Sequence, residues 1–190
     1  MTSPRRRRRW PALARTGLAA SLIASPGIAA GYASDTTSDV AVKAALIYNF
    51  AKFAEWPALP ADAPIAACVV GDDRIAAALV ETVRGQQIAG HGIEVTRPQD
   101  VGGWRTCHLL YIADAAMGRS AGAIDTITSL PVLTISDGKD FARAGGIIEL
   151  YIDAGRMRFA INVDAANRSG LHLSSRLLGL ATVVRNRHGQ

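Results

Sequence analysis

The chain is poor in the residues from which catalytic centres and metal sites are built. Its 190 residues include two cysteines, Cys68 and Cys107, and four histidines, and aromatic side chains make up 6%. No C-x-x-C pair is present. His91, His108, His172 and His188 stand apart, with neither i, i+4 nor H-x-H spacing, so the common zinc-ligand patterns are missing. Ser174 and Ser175 lie outside any G-x-S-x-G elbow, which argues against an α/β-hydrolase. Gly102-Gly103 and Gly145-Gly146 lack the spacing of a phosphate-cradling loop and suit turns instead. An uninterrupted apolar run of roughly 20 residues, the length that spans a bilayer, is also absent. No acidic residue precedes Asp35.

What the N-terminus does contain is an export signal. Arg5 to Arg9 form a positive run, and Gly17 to Ala30 are apolar or small and uncharged, broken by Pro26-Gly27. Ala30-Gly31-Tyr32-Ala33 then supplies the small residues that signal peptidase requires. Residues 1–33 are predicted to be a cleaved signal peptide, with cleavage after Ala33, or else after Ala30. The paired arginines also admit a twin-arginine route, although Trp10-Pro11 stands in place of the usual hydrophobic-lysine tail. The destination is the periplasm. Losing six arginines (Arg5–Arg9 and Arg15) of 21 basic residues leaves 15 against 16 acidic ones, net −1, in place of the +5 of the whole chain. No basic stripe survives to follow phosphates, so nucleic-acid binding is not expected.

In an oxidising compartment the isolated pair Cys68 and Cys107 reads as a disulfide rather than a metal or redox site. Closing a loop of about 40 residues stabilises a fold by roughly 4 kcal/mol on the chain-entropy model. Residues 34–190 read as a single domain. Asp39 to Glu55 has helical spacing, with Val42, Leu46, Phe50 and Phe53 on one face and Tyr48, Lys52 and Glu55 opposite. Ile65–Val70 and His108–Ala113 are apolar runs typical of strands buried on both faces. Ile93–Arg97 and Val132–Ser136 are further strands, with helices at Arg74–Arg84 and 120–129. Asp137–Arg143 reads as a loop with one helical turn. A hairpin follows, Ile147–Ile152 and Met157–Asn162, turning at Gly155, and is expected to add an antiparallel edge to the sheet. The end is expected to be helical over Val163–Arg168 and again from Ser174 to about Arg185.

This order predicts an α/β, flavodoxin/Rossmann-like, mostly parallel sheet flanked by helices, with a C-terminal antiparallel hairpin and helices. In the 2-1-3-4 order of such sheets the first and third strands are neighbours, which brings Cys68 and Cys107 within disulfide reach.

Asp72 and Asp73 follow the first strand and Asp114 ends the third, so all three fall at the crevice where open α/β sheets bind ligands. A phospho-receiver site would need a lysine after a fifth strand, whereas Lys139 follows the fourth. Helix capping is the preferred role for Asp72 or Asp73. No catalytic, cofactor or metal residue is assigned. Binding of a small polar molecule in that crevice is the alternative to protein binding. Tyr48 and Trp56 are candidates for partner contact, together with the 167–173 loop carrying Leu171 and Leu173.

Several blocks resemble the YfiR family. They are Val42 through Pro57; Cys68-Val69-Val70-Gly71-Asp72; Cys107-His108-Leu109-Leu110-Tyr111-Ile112; Pro131 through Asp137; Phe141 through Ile148; and Phe159-Ala160-Ile161-Asn162 with Ala165-Ala166 through Ser174-Ser175-Arg176-Leu177-Leu178. The likeness runs in order over residues 40 to 184. It implies a non-catalytic periplasmic repressor that binds the periplasmic sensor part of an inner-membrane (YfiN-like) diguanylate cyclase, lowering cyclic di-GMP and biofilm formation. A YfiB-like outer-membrane lipoprotein would sequester it. The resemblance further implies a homodimer and a disulfide matching Cys68 and Cys107. Some members carry a second cysteine pair near the hairpin, and this chain has none there.

Overall fold

A computed structural model describes residues 32–57, 59, 60 and 62–185 (side chains from Thr37 onward, Ala121 excepted). Apart from Tyr32 and Ala33, the expected signal lies outside the described residues. Along the chain come α1 (Tyr32–Lys52), β1 (Ala54–Glu55), β2 (Ile65–Val70), α2 (Asp73–Val83), β3 (Gln87–Ile88) and β4 (His91–Thr96). A 3-10 segment (Val101–Thr106), β5 (Leu109–Ile112), α3 (Asp114–Ile124), a 3-10 turn (Asp125–Ile127) and β6 (Leu133–Ser136) follow. The remainder is β7 (Ile148–Asp153), β8 (Arg156–Asn162), α4 (Val163–Arg168), β9 (His172–Leu173), α5 (Ser175–Leu178) and β10 (Thr182–Val184).

The strands that read as continuous apolar runs occupy the middle of an eight-stranded sheet ordered β10-β8-β7-β6-β5-β2-β4-β3. A strand covered on both faces has no solvent side to mark with polar residues, which is why Ile65–Val70 and Leu109–Ile112 do not alternate. β4, β2, β5, β6 and β7 are mutually parallel, with registers such as Cys68↔Leu110 and Leu110↔Thr134. The first four strands of this block therefore take the expected 2-1-3-4 order. One core packs α1 and α2 onto Ile65, Ala67, Val69 and Tyr111. A second, on the opposite face, gathers Cys68, Leu110 and Ile112 under Trp104, Ala116, Ile127 and Phe141. Cys68 and Cys107 are joined in that second core, with Cα atoms 5.9 Å apart.

Local sequence explains where several elements start and stop. Asp72 accepts hydrogen bonds from the Arg74 and Ile75 amides and so caps α2. The β7–β8 turn places Ala154 (φ 48°) and Gly155 (φ 73°) in the left-handed region, the two-residue geometry that suits the twist of a hairpin.

Four expectations are corrected. The buried stripe of α1 is Ala44, Ile47, Phe50 and Ala51, whereas Val42 is 40% exposed, and the helix begins at Tyr32 rather than Asp39. The helix expected at 120–129 starts at Asp114 and gives way to the 3-10 turn at Asp125. The hairpin is not merely an antiparallel edge, because β7 pairs in parallel with β6 as a fifth parallel strand and only β8 runs against it. The C-terminal helix stops at Leu178. Thr182–Val184 then forms β10, which adds to β8 in parallel (Val183↔Ile161). Short strands β1 and β9 form a separate antiparallel ribbon, Ala54↔Leu173 and Glu55↔His172, which carries too few residues to show a period.

Candidate functional site

Of the three carboxylates expected at the sheet's crevice, those of Asp72 and Asp73 are already engaged. Both oxygens of Asp72 are used: Oδ1 accepts from the Arg74 and Ile75 amides, and Oδ2 from the Arg74 guanidinium at 2.8 Å. The Arg74 guanidinium, together with these amides, holds the Asp72 carboxyl below its usual range. Asp73 pairs with Arg97 at 3.2 Å on the surface. Asp114 is the first residue of α3 rather than the last of a strand.

α3 has no capping side chain at Ala113. Instead Asp137, just past the end of β6, accepts from the Asp114 amide at 2.8 Å. The other oxygen of Asp137 pairs with Lys43, which reaches across from α1. Asp137 thus ties α1, α3 and the end of β6 together. Below it the Tyr111 hydroxyl is fully buried and makes no hydrogen bond. Burial, then the neighbouring Asp137 carboxylate, pushes the Tyr111 pKa far up, so the phenol stays protonated. Among the described residues no three His, Cys, Asp or Glu side chains come together as a metal-binding group. Lys139 is exposed and takes no place in this arrangement. Lys43, Tyr111 and Asp137 were not singled out from sequence. Only their positions at strand ends and on the first helix hinted at them.

The opposite, amino-terminal end of the sheet carries the aromatic candidate Trp56. It is half-buried, and its Nε1 donates to the His108 carbonyl at 3.0 Å while its ring meets the His108 ring edge-on at 6.5 Å. His108 Nδ1 accepts from the Ala66 amide at 3.0 Å, and the His108 amide donates to the Ala66 carbonyl at 2.9 Å. The imidazole therefore completes the β2–β5 ladder where β5 begins. Burial, then nearby His91, lowers its pKa.

The ribbon of β1 and β9 leads directly into Trp56 and brings Leu173 beside Ala54, anchored by the Ser174 amide donating to the Phe53 carbonyl at 2.9 Å. Leu173 is half-buried. Leu171 is 1% exposed and belongs to the main core, so it supports this loop from beneath instead of presenting itself at the surface. Tyr48 is half-buried on α1, its hydroxyl 3.2 Å from Gln86 Oε1 and its ring under the Lys52 ammonium at 5.4 Å. Trp56 and Leu173 flank one ribbon, whereas Tyr48 is tied to the turn after α2.

Fold and site together define a doubly wound α/β domain whose strand-end carboxylates act as caps and tethers. The YfiR/HmsC-like family profile matches residues 40–182, and the chain belongs to that family. No curated protein matches the chain. Among solved structures, a conserved domain protein from Vibrio cholerae O1 biovar eltor is similar, with 14% identity over 76% of this chain and a TM-score of 0.49. The chain covers 59% of that protein's length. Among the described residues no helix is long and apolar enough to cross a membrane.

Proposed function

We propose that the chain is a periplasmic regulator that binds the sensor part of an inner-membrane diguanylate cyclase and holds it inactive. The observation that carries this reading is the family match over residues 40–182. It is supported by a disulfide suited to an oxidising compartment and by strand-end acids committed to structural bonds. Repression is then a population shift: tighter binding to the inactive sensor conformation holds the cyclase there. A YfiB-like lipoprotein would compete for the regulator, and two copies of the chain would associate. Residues 1–33 would direct export and be removed.

The contact surface in this reading is the β1–β9 ribbon, with Trp56 and Leu173 at its centre and Tyr48 on the neighbouring helix. Leu171 shapes the loop from below. The test is a pull-down of the exported, oxidised protein against membrane extract of its own host. The expected result is capture of a diguanylate cyclase through its periplasmic segment, with capture reduced at least about tenfold by Leu173→Glu. A folded, oxidised protein that retains no cyclase would overturn the reading.

A further inference from the structure

The edge of the sheet at β4 is only partly covered. β3 pairs with β4 at His91 and Gly92, so among the described residues the stretch 93–96 has β2 on one side and no strand on the other. Alternate amides and carbonyls there point away from β2, and a bare edge of this kind is a template for another strand. Beside it runs a groove of about 450 Å³, where Val80 and Val83 of α2 meet Ile93 and Val95 of β4. Val80 is 43% exposed although it stands well inside the helix.

The face of α2 along this groove is self-complementary. Asp73, Ala77, Val80 and Arg84 recur at 4-3-4 spacing and so form one stripe of the helix. An acid begins the stripe, an arginine ends it, and two apolar residues lie between; all four are exposed. Turned end for end, the stripe matches itself. Asp73 falls opposite the partner's Arg84, and Ala77 opposite the partner's Val80. Within the chain Asp73 pairs with Arg97 and Arg84 with Glu81, exposed contacts that leave both groups able to take a further partner.

Helix and strand share one centre. Asp73 bonds Arg97 just past the end of β4, and Arg84 lines the groove beside Gly92. The spans 73–84, at about 1.5 Å per helical residue, and 92–97, at about 3.3 Å per strand residue, are each roughly 16 Å long. The midpoint of the stripe therefore lies level with residues 94–95. A two-fold axis there, normal to the sheet, sets Val95 against the partner's Val95 and Glu94 against the partner's Thr96, so no like charges stand directly opposite. α2 packs over both β2 and β4. With strands about 4.8 Å apart, the two copies of α2 then run antiparallel with axes roughly 10 Å apart, a normal packing distance for helices.

We infer that two copies of this chain associate through the open edge of β4 and the Asp73–Arg84 stripe of α2, joining their sheets into one. The inference rests on the proposed association of two copies and gives it a face, and it does not depend on which protein the pair binds.

Sedimentation velocity of the exported, oxidised protein tests it. The parent should dimerise with a dissociation constant below about 10 μM. Val80→Glu sets carboxylates at the apolar centre of the stripe and should weaken the dimer at least about tenfold. Arg84→Glu should do the same, because it faces the partner's Asp73 with a like charge. Adding Asp73→Arg to Arg84→Glu should recover most of that loss. Opposite charges then face each other again across the axis, while the pairs within each chain stay broken. Val183→Glu, on β10 at the far edge of the sheet, should change nothing. All four positions are exposed, so the variants should fold, and their urea midpoints verify this independently. A parent that stays monomeric at about 100 μM would overturn the inference. So would a dimer that survives Val80→Glu, one that Val183→Glu dissociates, or a double variant no tighter than Arg84→Glu. Cyclase capture by a monomeric parent would sink this inference and leave the regulator reading standing.

Discussion

His108 stands just before the central strand β5 and Tyr111 within it; the first side chain is half-buried and the second wholly buried. The neutral His108 ring accepts the Ala66 amide through Nδ1, a bond that a protonated ring cannot accept. Burial and His91 lower its pKa, so the folded state takes up a proton less readily than the unfolded chain, whose histidine titrates near 6.5. As pH falls through that value the unfolded state binds more protons, and stability declines until the lower folded pKa is reached; above the unfolded value this contribution is constant. Urea midpoints measured between about pH 5 and pH 8 should show the decline, and His108→Gln should flatten it. An unchanged slope in that variant would assign the effect to another group. For Tyr111 the expectation is opposite to that for most core polar groups. Its hydroxyl has no partner, so Tyr111→Phe removes an unsatisfied group. Stability should hold or rise by up to about 1 kcal/mol in urea denaturation. A loss of that size would show that the hydroxyl bonds to the neighbouring Asp137 carboxylate or to a trapped water.

At the scale of elements, legibility tracked length and burial. β2 and β5 could be read because each is a compact apolar run bounded by turn residues, and β4 and β6 because apolar and polar residues alternate along them (Ile93-Glu94-Val95-Thr96 and Leu133-Thr134-Ile135-Ser136). The segment Leu177-Leu178-Gly179-Leu180-Ala181-Thr182-Val183-Val184 is uncharged and mostly apolar, and periodicity cannot tell helix from strand in so short a run. The β-branched trio Thr182-Val183-Val184 was the signal that it ends as a strand. The start of α3 is not legible locally, because Gly118 and Gly122 weaken its helical propensity and its first turn is fixed from outside by Asp137, 23 residues further on. Asp72, in contrast, was readable as a cap because the bond is local. Asp72→Ala should cost about 1 kcal/mol, measured by urea denaturation at neutral pH. The cost should shrink in acid, where the carboxylate of the parent protein is itself neutralised below its lowered pKa.

For the molecule as a whole, export and stability are one question. The disulfide closes a loop of 39 residues between central strand β2 and the segment entering β5, with both cysteines almost fully buried at 2% and 3% exposure. Constraining the unfolded chain over that separation contributes roughly 4 kcal/mol on the entropy model. Domains are stable by only about 5–15 kcal/mol, so the bond represents a large fraction of what keeps this one folded. If residues 1–33 direct export, as proposed, a chain made without them stays in a reducing compartment and forgoes that contribution. Such a protein should carry two free thiols under denaturing conditions and unfold at a markedly lower urea concentration than the exported form. Oxidation of the purified protein should restore the higher midpoint, because the fold already brings the two Cα atoms to 5.9 Å. If reduced and oxidised proteins instead unfold within about 1 kcal/mol of each other, the second core carries the fold without the bond, and export serves only to deliver the chain to its partner. The same comparison, with cyclic di-GMP measured in cells making each form, separates the two roles. Repression lost in the cytoplasmic form but regained on addition of the reduced protein to the periplasm would place the requirement in the compartment, and repression regained only with oxidised protein would place it in the disulfide.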